Sequence, residues 1–508
     1  MVWKHSEVQE DESSKIRWEL PQYTRGKVLD IGCGQSKAYP HFVGVDNCID
    51  NKLFGSQVEP DVKIDSADDL SQWKDESHDA VYSSHLLEHM ADPVKALREW
   101  WRVIKFGGHL CLYLPDESLY PKIGEFGANP DHKHNLNQSK VIDWMREVGS
   151  WELLRNELRS QDSEYSFFQV FRKARTAQTF PCDDPKPVKT CGIVRYGAIG
   201  DLLQTSSVLA GLKRQGYHVT LYTTAKAHEP VLHDPNIDVF YLQDKDQVPN
   251  SWLGTFWANE KPKFDKWVNL SESVEGTFLT LPDRMSHQWP KSVKDKYLDA
   301  NYLEFMHAIA EIDDVPHVRH YATEAEKVWA RNERKKIGGD YLVMYVLSGS
   351  SVHKVWPHMD PFFAAMLLNK KRCRIVTVGD LSGQILEQGW EKEPRVKRRA
   401  GKYTVRQTLA LLEQCDLVVG PETGVMNAAS YMPMRKIVFL SHSSNNNLTR
   451  DWVNTVALEP TNTPCFPCRK LIYAWDQCVQ GPETGMALCA ENIKPDRVWQ
   501  AIEFKKAA

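Results

Sequence analysis

Arg195-Tyr196-Gly197-Ala198-Ile199-Gly200-Asp201-Leu202-Leu203 follows the short apolar run Cys191-Gly192-Ile193-Val194 and precedes an apolar-periodic segment that carries Leu209, Leu212 and Gly216. That order is strand, glycine turn, helix. The first helical turn offers free N–H groups that suit a phosphate, while Asp201 beside them reads either as a negative cap or as a base facing a substrate. Residues 217–222, 236–241 and 264–270 read as further short strands separated by helix-length stretches. The alternation predicts a parallel sheet with helices on both faces.

The chain has 508 residues, 42% of them apolar and 26% charged, enough for several cores. A formal charge of −4 supplies no global field for nucleic acid or an anionic membrane. There is no apolar run of membrane-spanning length, and the charged start resembles neither a signal nor a transit segment. Eleven cysteines, an odd number scattered except for four near the end, fit a reducing compartment. A cytoplasmic location is therefore expected, with homo-oligomerisation left open.

Outward from the opening stretch, residues 1–175 form a first expected domain. Lys27-Val28-Leu29-Asp30-Ile31 is a strand closed by Gly32-Cys33-Gly34, and Phe42-Val43-Gly44-Val45-Asp46 is a second strand ending in an acid. Strands are expected at 62–64, 80–83 and 109–114, a helix at 93–103, and a closing hairpin at 151–157 and 165–172. The glycine pair by itself is as compatible with an ordinary tight turn as with a cofactor site. The series Leu29 to Gly34, Gly44-Val45-Asp46, Asp79 to His89 and Glu99 to Gly108 resembles a class I S-adenosylmethionine-dependent methyltransferase. The resemblance implies that Asp30, Gly32 and Gly34 surround the methionine part of S-adenosylmethionine, that Asp46 holds the ribose, and that Asp65 or Asp68 approaches the adenine. Only seven residues, 35–41, separate the first turn from the second strand, so the helix usual at that place is reduced to a turn at most. His132 and His134 titrate near working pH and are the candidate acid–base pair for methyl transfer, with a surface loop, or half of a metal site lacking its other ligands, as the alternatives. His85, Glu88 and His89 superficially suggest a metal but lack the His-Glu-x-x-His order, and are read as a helix lining the cofactor cleft.

A proline-rich linker, 176–187 with Pro181, Pro185 and Pro187, leads to two further expected domains, 188–335 and 338–508. The Arg195 to Asp201 signature resembles the heptosyltransferase-like glycosyltransferases, glycosyltransferase family 9 with the GT-B fold. That resemblance gives Gly197 and Gly200 the job of letting substrate approach the backbone, and Asp201 the role of catalytic base in an inverting transfer. Ser348-Gly349-Ser350-Ser351 followed by Lys354 looks like the donor-phosphate loop, Lys354 offsetting charge on the leaving diphosphate. Pro421-Glu422-Thr423-Gly424-Val425-Met426-Asn427 is similar to the family's acid-x-Gly turn, with Glu422 facing the donor sugar and Thr423 and Gly424 its diphosphate. Glu422 stands where Asp is commoner and Asn427 where His is usual, so a donor other than ADP-heptose is open. The basic run 392–402 lacks interleaved aromatics and reads as a solvated loop.

Cys465-Phe466-Pro467-Cys468 with Cys478 and Cys489 reads as tetrahedral sulfur ligation of a structural Zn or Fe, against the alternative of free buried thiols. The whole reading is an α/β chain with a Rossmann-like methyltransferase domain ahead of a GT-B pair. The expected function is bifunctional: a sugar moves from a nucleotide-sugar to a glycan or lipopolysaccharide-type acceptor, and a methyl group from S-adenosylmethionine to a sugar hydroxyl. A silent methyltransferase-like module and the modification of nucleic acid are the alternatives.

Overall fold

The computed structural model describes residues 12–502 except 35, 48–59, 162, 175–188, 272, 275, 278, 282–283, 315–316 and 475–476. The linker prolines Pro181, Pro185 and Pro187 and residue 35 of the shortened loop lie outside the described residues. The chain divides into two compact units, Met1–Lys186 with Gln243–Lys263, and Pro187–Leu242 with Phe264–Ala508.

The first unit holds a seven-stranded sheet of β1 (Val28–Ile31), β2 (Val43–Asp46), β3 (Val62–Lys63), β4 (His78–Ser84), β5 (Ile104–Pro115), β6 (Trp151–Arg159) and β7 (Ser166–Lys173). Its order is β3-β2-β1-β4-β5-β7-β6. Strand β1 is buried along its whole length, as a parallel strand covered on both faces must be. It pairs in parallel with β2 on one side and β4 on the other, Asp30 lying opposite Gly44 and Tyr82. The strand order reverses direction between β1 and β4, which opens a crevice at their carboxyl ends. The closing β6–β7 hairpin is present as expected, with β7 antiparallel to both of its neighbours, β5 and β6. The helix Pro93–Val103 starts on Asp92, whose side chain accepts from Lys95 N–H.

Three local expectations need correction. Strand β5 begins at Ile104, and its ladder with β4 jumps from Ile104 to His109, so Gly107 and Gly108 sit in a bulge rather than before the strand. Residues 85–89 form no α-helix: His85 takes a left-handed φ of 49° and Leu87–His89 is a single 3-10 turn. The basic run 392–402 contains an edge strand, Val396–Arg398, whose valine is buried while its charges remain partly exposed.

The second unit has two sheets. The first, β8 (Thr190–Val194), β9 (His218–Thr224), β10 (Val239–Gln243) and β11 (Lys266–Asn269), is ordered β10-β9-β8-β11. The second, β12 (Tyr341–Val346), β13 (Cys373–Val378), β14 (Val396–Arg398), β15 (Leu417–Pro421), β16 (Arg435–Phe439) and β17 (Thr455–Leu458), is ordered β14-β13-β12-β15-β16-β17 and parallel throughout. One apolar cluster runs from Ile193 and Leu203 to Met344, Val418 and Met426, so the two sheets share a core. Rossmann-like α/β architecture is thus present three times, once in the first unit and twice in the second. Among the described residues no helix is long and apolar enough to cross a membrane.

Candidate active sites

In the first unit the Gly32 turn leaves β1 with a left-handed φ of 77°, and a Cβ there would come within 2.8 Å of Leu86. The turn that follows β1 therefore packs directly on the loop that follows β4. Asp46, at the end of β2, accepts the N–H of Gly34 at 2.9 Å. Asp30 is buried and accepts Ala38 N–H at 2.7 Å, and burial pushes its carboxyl up to about 7. Both acids thus shape the shortened loop. Asp68 is held below the usual carboxylate range by Ser66 and bridges to Lys95 at 3.0 Å, whereas Asp65 is exposed.

The loop after β4 carries a feature that the sequence left diffuse. Glu88 is fully buried, and neither carboxylate oxygen receives a hydrogen bond. Three imidazoles face its Oε1: His85 Nδ1 at 3.7 Å, His89 Nε2 at 3.9 Å and His132 Nε2 at 3.9 Å. The backbone carbonyl of Glu88 accepts from Lys133 and His134 N–H at 2.9 and 3.2 Å, which is how residue 132 is delivered from forty-four positions away. His134 itself turns aside, its Nε2 lying 3.0 Å from Met90 O. Burial raises Glu88 to about 8 and lowers His85 to about 4. Of the expected histidine pair, His132 joins the cluster and His134 does not. The sequence signal was present in His85, Glu88 and His89, but their convergence depends on a 3-10 turn and on a distant loop.

In the second unit Gly197 has a φ of 139°, and a Cβ there would come within 2.6 Å of Asp201. Asp201 lies in the first turn of the helix Ile199–Arg214, where it accepts Ala198 N–H at 2.9 Å and pairs with Arg195 at 2.9 Å. The Arg195 guanidinium is buried and also donates to Leu270 O, Ser271 O and Tyr302 Oη. This turn meets its counterpart in the other sheet. A Cβ on Gly200 would stand 2.7 Å from Asn427 Nδ2 and 3.2 Å from Gly424 Cα. Thr423 caps the short helix Gly424–Ala429 by accepting from Met426 N–H.

Lys354 is buried near that junction, its stem packed over Gly349. Burial lowers its pKa, and the negative charges of Glu422 and Asp201 pull the other way. The ammonium therefore feels both acids, one contributed by each sheet. Glu422 is buried and accepts from Ser441 N–H and Oγ, His442 N–H and Ser443 Oγ, so it pins the loop after β16. Ser351 Oγ donates to Ile472 O at 2.6 Å, while Ser350 is exposed.

The expected sulfur-ligated Zn or Fe is not supported. Cys465, Cys468, Cys478 and Cys489 are free thiols lining one side of a cavity of about 300 Å³, with Trp289 and Lys294 on its wall. Burial raises the thiol pKa of each, that of Cys468 to about 12, and Cys468 and Cys478 donate S–H to backbone carbonyls instead of converging as thiolates. Among the described residues, the side chains that bring metal-type ligand atoms within 4.8 Å of one another are Glu88, His89 and His132.

A family model described as a methyltransferase domain matches residues 29–112. Over 99 residues the chain is 33% identical to the ubiquinone biosynthesis O-methyltransferases of Xanthomonas oryzae pv. oryzae strains PXO99A and MAFF 311018, a stretch covering 17% of this chain. The chain spans 41% of the length of these curated relatives. Among solved structures it is similar to the ADP-heptose lps heptosyltransferase II of E. coli, at 13% identity and a TM-score of 0.44 over 61% of this chain and 97% of that one. It is also similar to the glycosyl transferase family 9 protein of Veillonella parvula, at 16% identity and a TM-score of 0.46 over 62% and 96%. A third likeness is to an S-adenosylmethionine-dependent methyltransferase of Mesorhizobium loti, at 16% identity and a TM-score of 0.27 over 33% and 100%.

Proposed function

We propose that the chain is a bifunctional transferase, moving a methyl group from S-adenosylmethionine in its first unit and a sugar from a nucleotide-sugar in its second. The observation that supports sugar transfer is the meeting of the two turns, a Cβ on Gly200 standing 2.7 Å from Asn427 and 3.2 Å from Gly424, with Thr423 and the buried Lys354 packed together over Gly349. Acceptor hydroxyl deprotonation by Asp201 and neutralisation of the leaving diphosphate by Lys354 would be the two halves of an inverting displacement. Gly197 gives the acceptor its approach, Gly200 and Gly424 bring the two turns into contact, and Ser350 and Thr423 lie beside the donor phosphates. The acceptor class is a glycan or glycoconjugate. Glu422, committed to the 441–443 loop, shapes the donor-sugar pocket.

For methyl transfer the supporting arrangement is the Gly32–Gly34 turn abutting the Glu88 loop across the crevice between β1 and β4. S-adenosylmethionine lies over Asp30, Gly32, Gly34 and Asp46 in this reading, its adenine on the side of Asp65 and Asp68. The acceptor oxygen comes to the side occupied by His132. Native mass spectrometry with a panel of nucleotide-sugars, together with calorimetry against S-adenosylhomocysteine, tests both halves. One saturable S-adenosylhomocysteine site and retention of one nucleotide-sugar class are expected. Absence of S-adenosylhomocysteine heat would instead make the first unit a silent module, in keeping with its trimmed loop.

A further inference from the structure

Glu88 is a buried acid without a hydrogen-bond partner on either carboxyl oxygen. For a carboxylate, that condition costs several kcal/mol when left uncompensated. The histidine nitrogens at 3.7–3.9 Å are too far for hydrogen bonds to Oε1, yet all three converge on it. Donor atoms sharing one ion at about 2.1 Å stand roughly 3.0–3.4 Å apart in octahedral or tetrahedral geometry. The Glu88–histidine separations lie slightly above that range, and side-chain rotation on the order of 1 Å would bring the ligand atoms, now within 4.8 Å of one another, into it.

We propose that Glu88, His89 and His132 bind one divalent transition-metal ion, with His85 beside it as a further nitrogen donor. The ligand atoms of the three lie within 4.8 Å of one another, and Glu88 is the unpartnered buried group aimed into the site. Two imidazoles and a carboxylate select a borderline ion such as Zn²⁺, Co²⁺ or Fe²⁺ over Mg²⁺ or Ca²⁺, which take all-oxygen shells. Even with His85 as a fourth donor, a six-coordinate ion keeps positions open, the pattern of catalytic rather than structural sites. His85 is oriented from behind by Ser166, whose Oγ lies 3.1 Å from its Nε2. Its left-handed backbone is the kind of local strain that functional sites retain.

This inference rests on the methyl-transfer reading for its chemistry. An acceptor hydroxyl in an open position loses its proton to water, its oxygen attacks the methyl carbon, and the carbon–sulfur bonding pair stays on sulfur as S-adenosylhomocysteine. The ion stabilises the oxyanion, so His132 acts as a ligand rather than as a base.

The test uses the full chain stripped with a chelator and titrated with Co²⁺, read by visible d–d absorption, with Zn²⁺ as competitor. One equivalent of Co²⁺, displaced by Zn²⁺, is expected. Glu88→Gln and His132→Asn should each weaken it roughly 100-fold. Cys468→Ser should leave both stoichiometry and affinity unchanged, which separates this site from the thiol-lined cavity. S-adenosylhomocysteine calorimetry on each variant reports whether the first unit is folded and its cofactor crevice open. Undiminished Co²⁺ binding in both variants, or no binding to a natural chain that takes up S-adenosylhomocysteine, overturns the metal site. Metal binding without S-adenosylhomocysteine heat would overturn the methyl-transfer reading instead.

Discussion

Asp30 and Asp201 are both acids beside a glycine turn, the first buried and the second held by an arginine. Burial holds Asp30 up to about 7, outweighing the Ala38 N–H and the charge of Lys37. The folded chain therefore keeps a proton that the unfolded chain releases near the ordinary value of 3.8. The associated stability is complete below that value and is lost as pH rises through about 7. Asp30→Asn keeps an acceptor for Ala38 and never ionises. Its melting temperature relative to the natural chain should rise between pH 4 and pH 8, the gain amounting to about 1–4 kcal/mol. A constant offset in differential scanning calorimetry would contradict this.

Asp201 instead shares Arg195 with three other acceptors. Arg195→Met strands two carbonyls and the acid, and should cost about 3–5 kcal/mol in urea denaturation. Asp201→Asn should cost far less while abolishing sugar transfer, a split that a purely capping acid would not show. Both acids were legible as turn residues. The carbonyls of Leu270 and Ser271 that fix Arg195 come some seventy-five positions later, and no local pattern announces them.

At the scale of elements, the strands were readable where apolar runs were uninterrupted, as in β12 and β15. The strand Val396–Arg398 was hidden because an edge strand keeps its charges in water and its ladder partner lies twenty-one residues upstream. The 3-10 turn Leu87–His89 was hidden because histidines four apart fit a helix equally well. The meeting of two helix starts at Gly200 and Gly424 was half legible: the sequence flagged each glycine, but not that each makes room for the other. Gly200→Ala should therefore push on Asn427 and Gly424, costing about 1–3 kcal/mol and reducing sugar transfer. Gly216→Ala, with open space around its Cβ, controls for the general penalty of replacing glycine; its own φ of 85° makes it a severe control. Equal transferase activity in the two variants would remove the significance of the contact.

For the whole molecule, the α/β architecture with one Rossmann-like sheet followed by two more could be read from strand and turn order. Membership of Gln243–Lys263 in the first unit could not, since that stretch sits amid the strands of the second. Within the first unit, Gln247 Nε2 donates to Pro21 O and Thr24 O at 2.7 and 3.1 Å. Trp252 packs on Trp18 and Tyr39 with Arg17 over its ring. Trp252→Ala should lower the stability of the first unit by about 2–4 kcal/mol, measured by hydrogen exchange on the amides of β1 and β4. Protection unchanged from the natural chain would show the ring to be a spectator.

That returning stretch has a practical corollary for anyone recombining such proteins. A cut at the proline-rich junction, the place a linear map recommends, would amputate part of the upstream body and bare the rings of Trp18 and Tyr39. Any transplant of either half into another gene has to carry residues 243–263 as baggage, or supply a substitute for them.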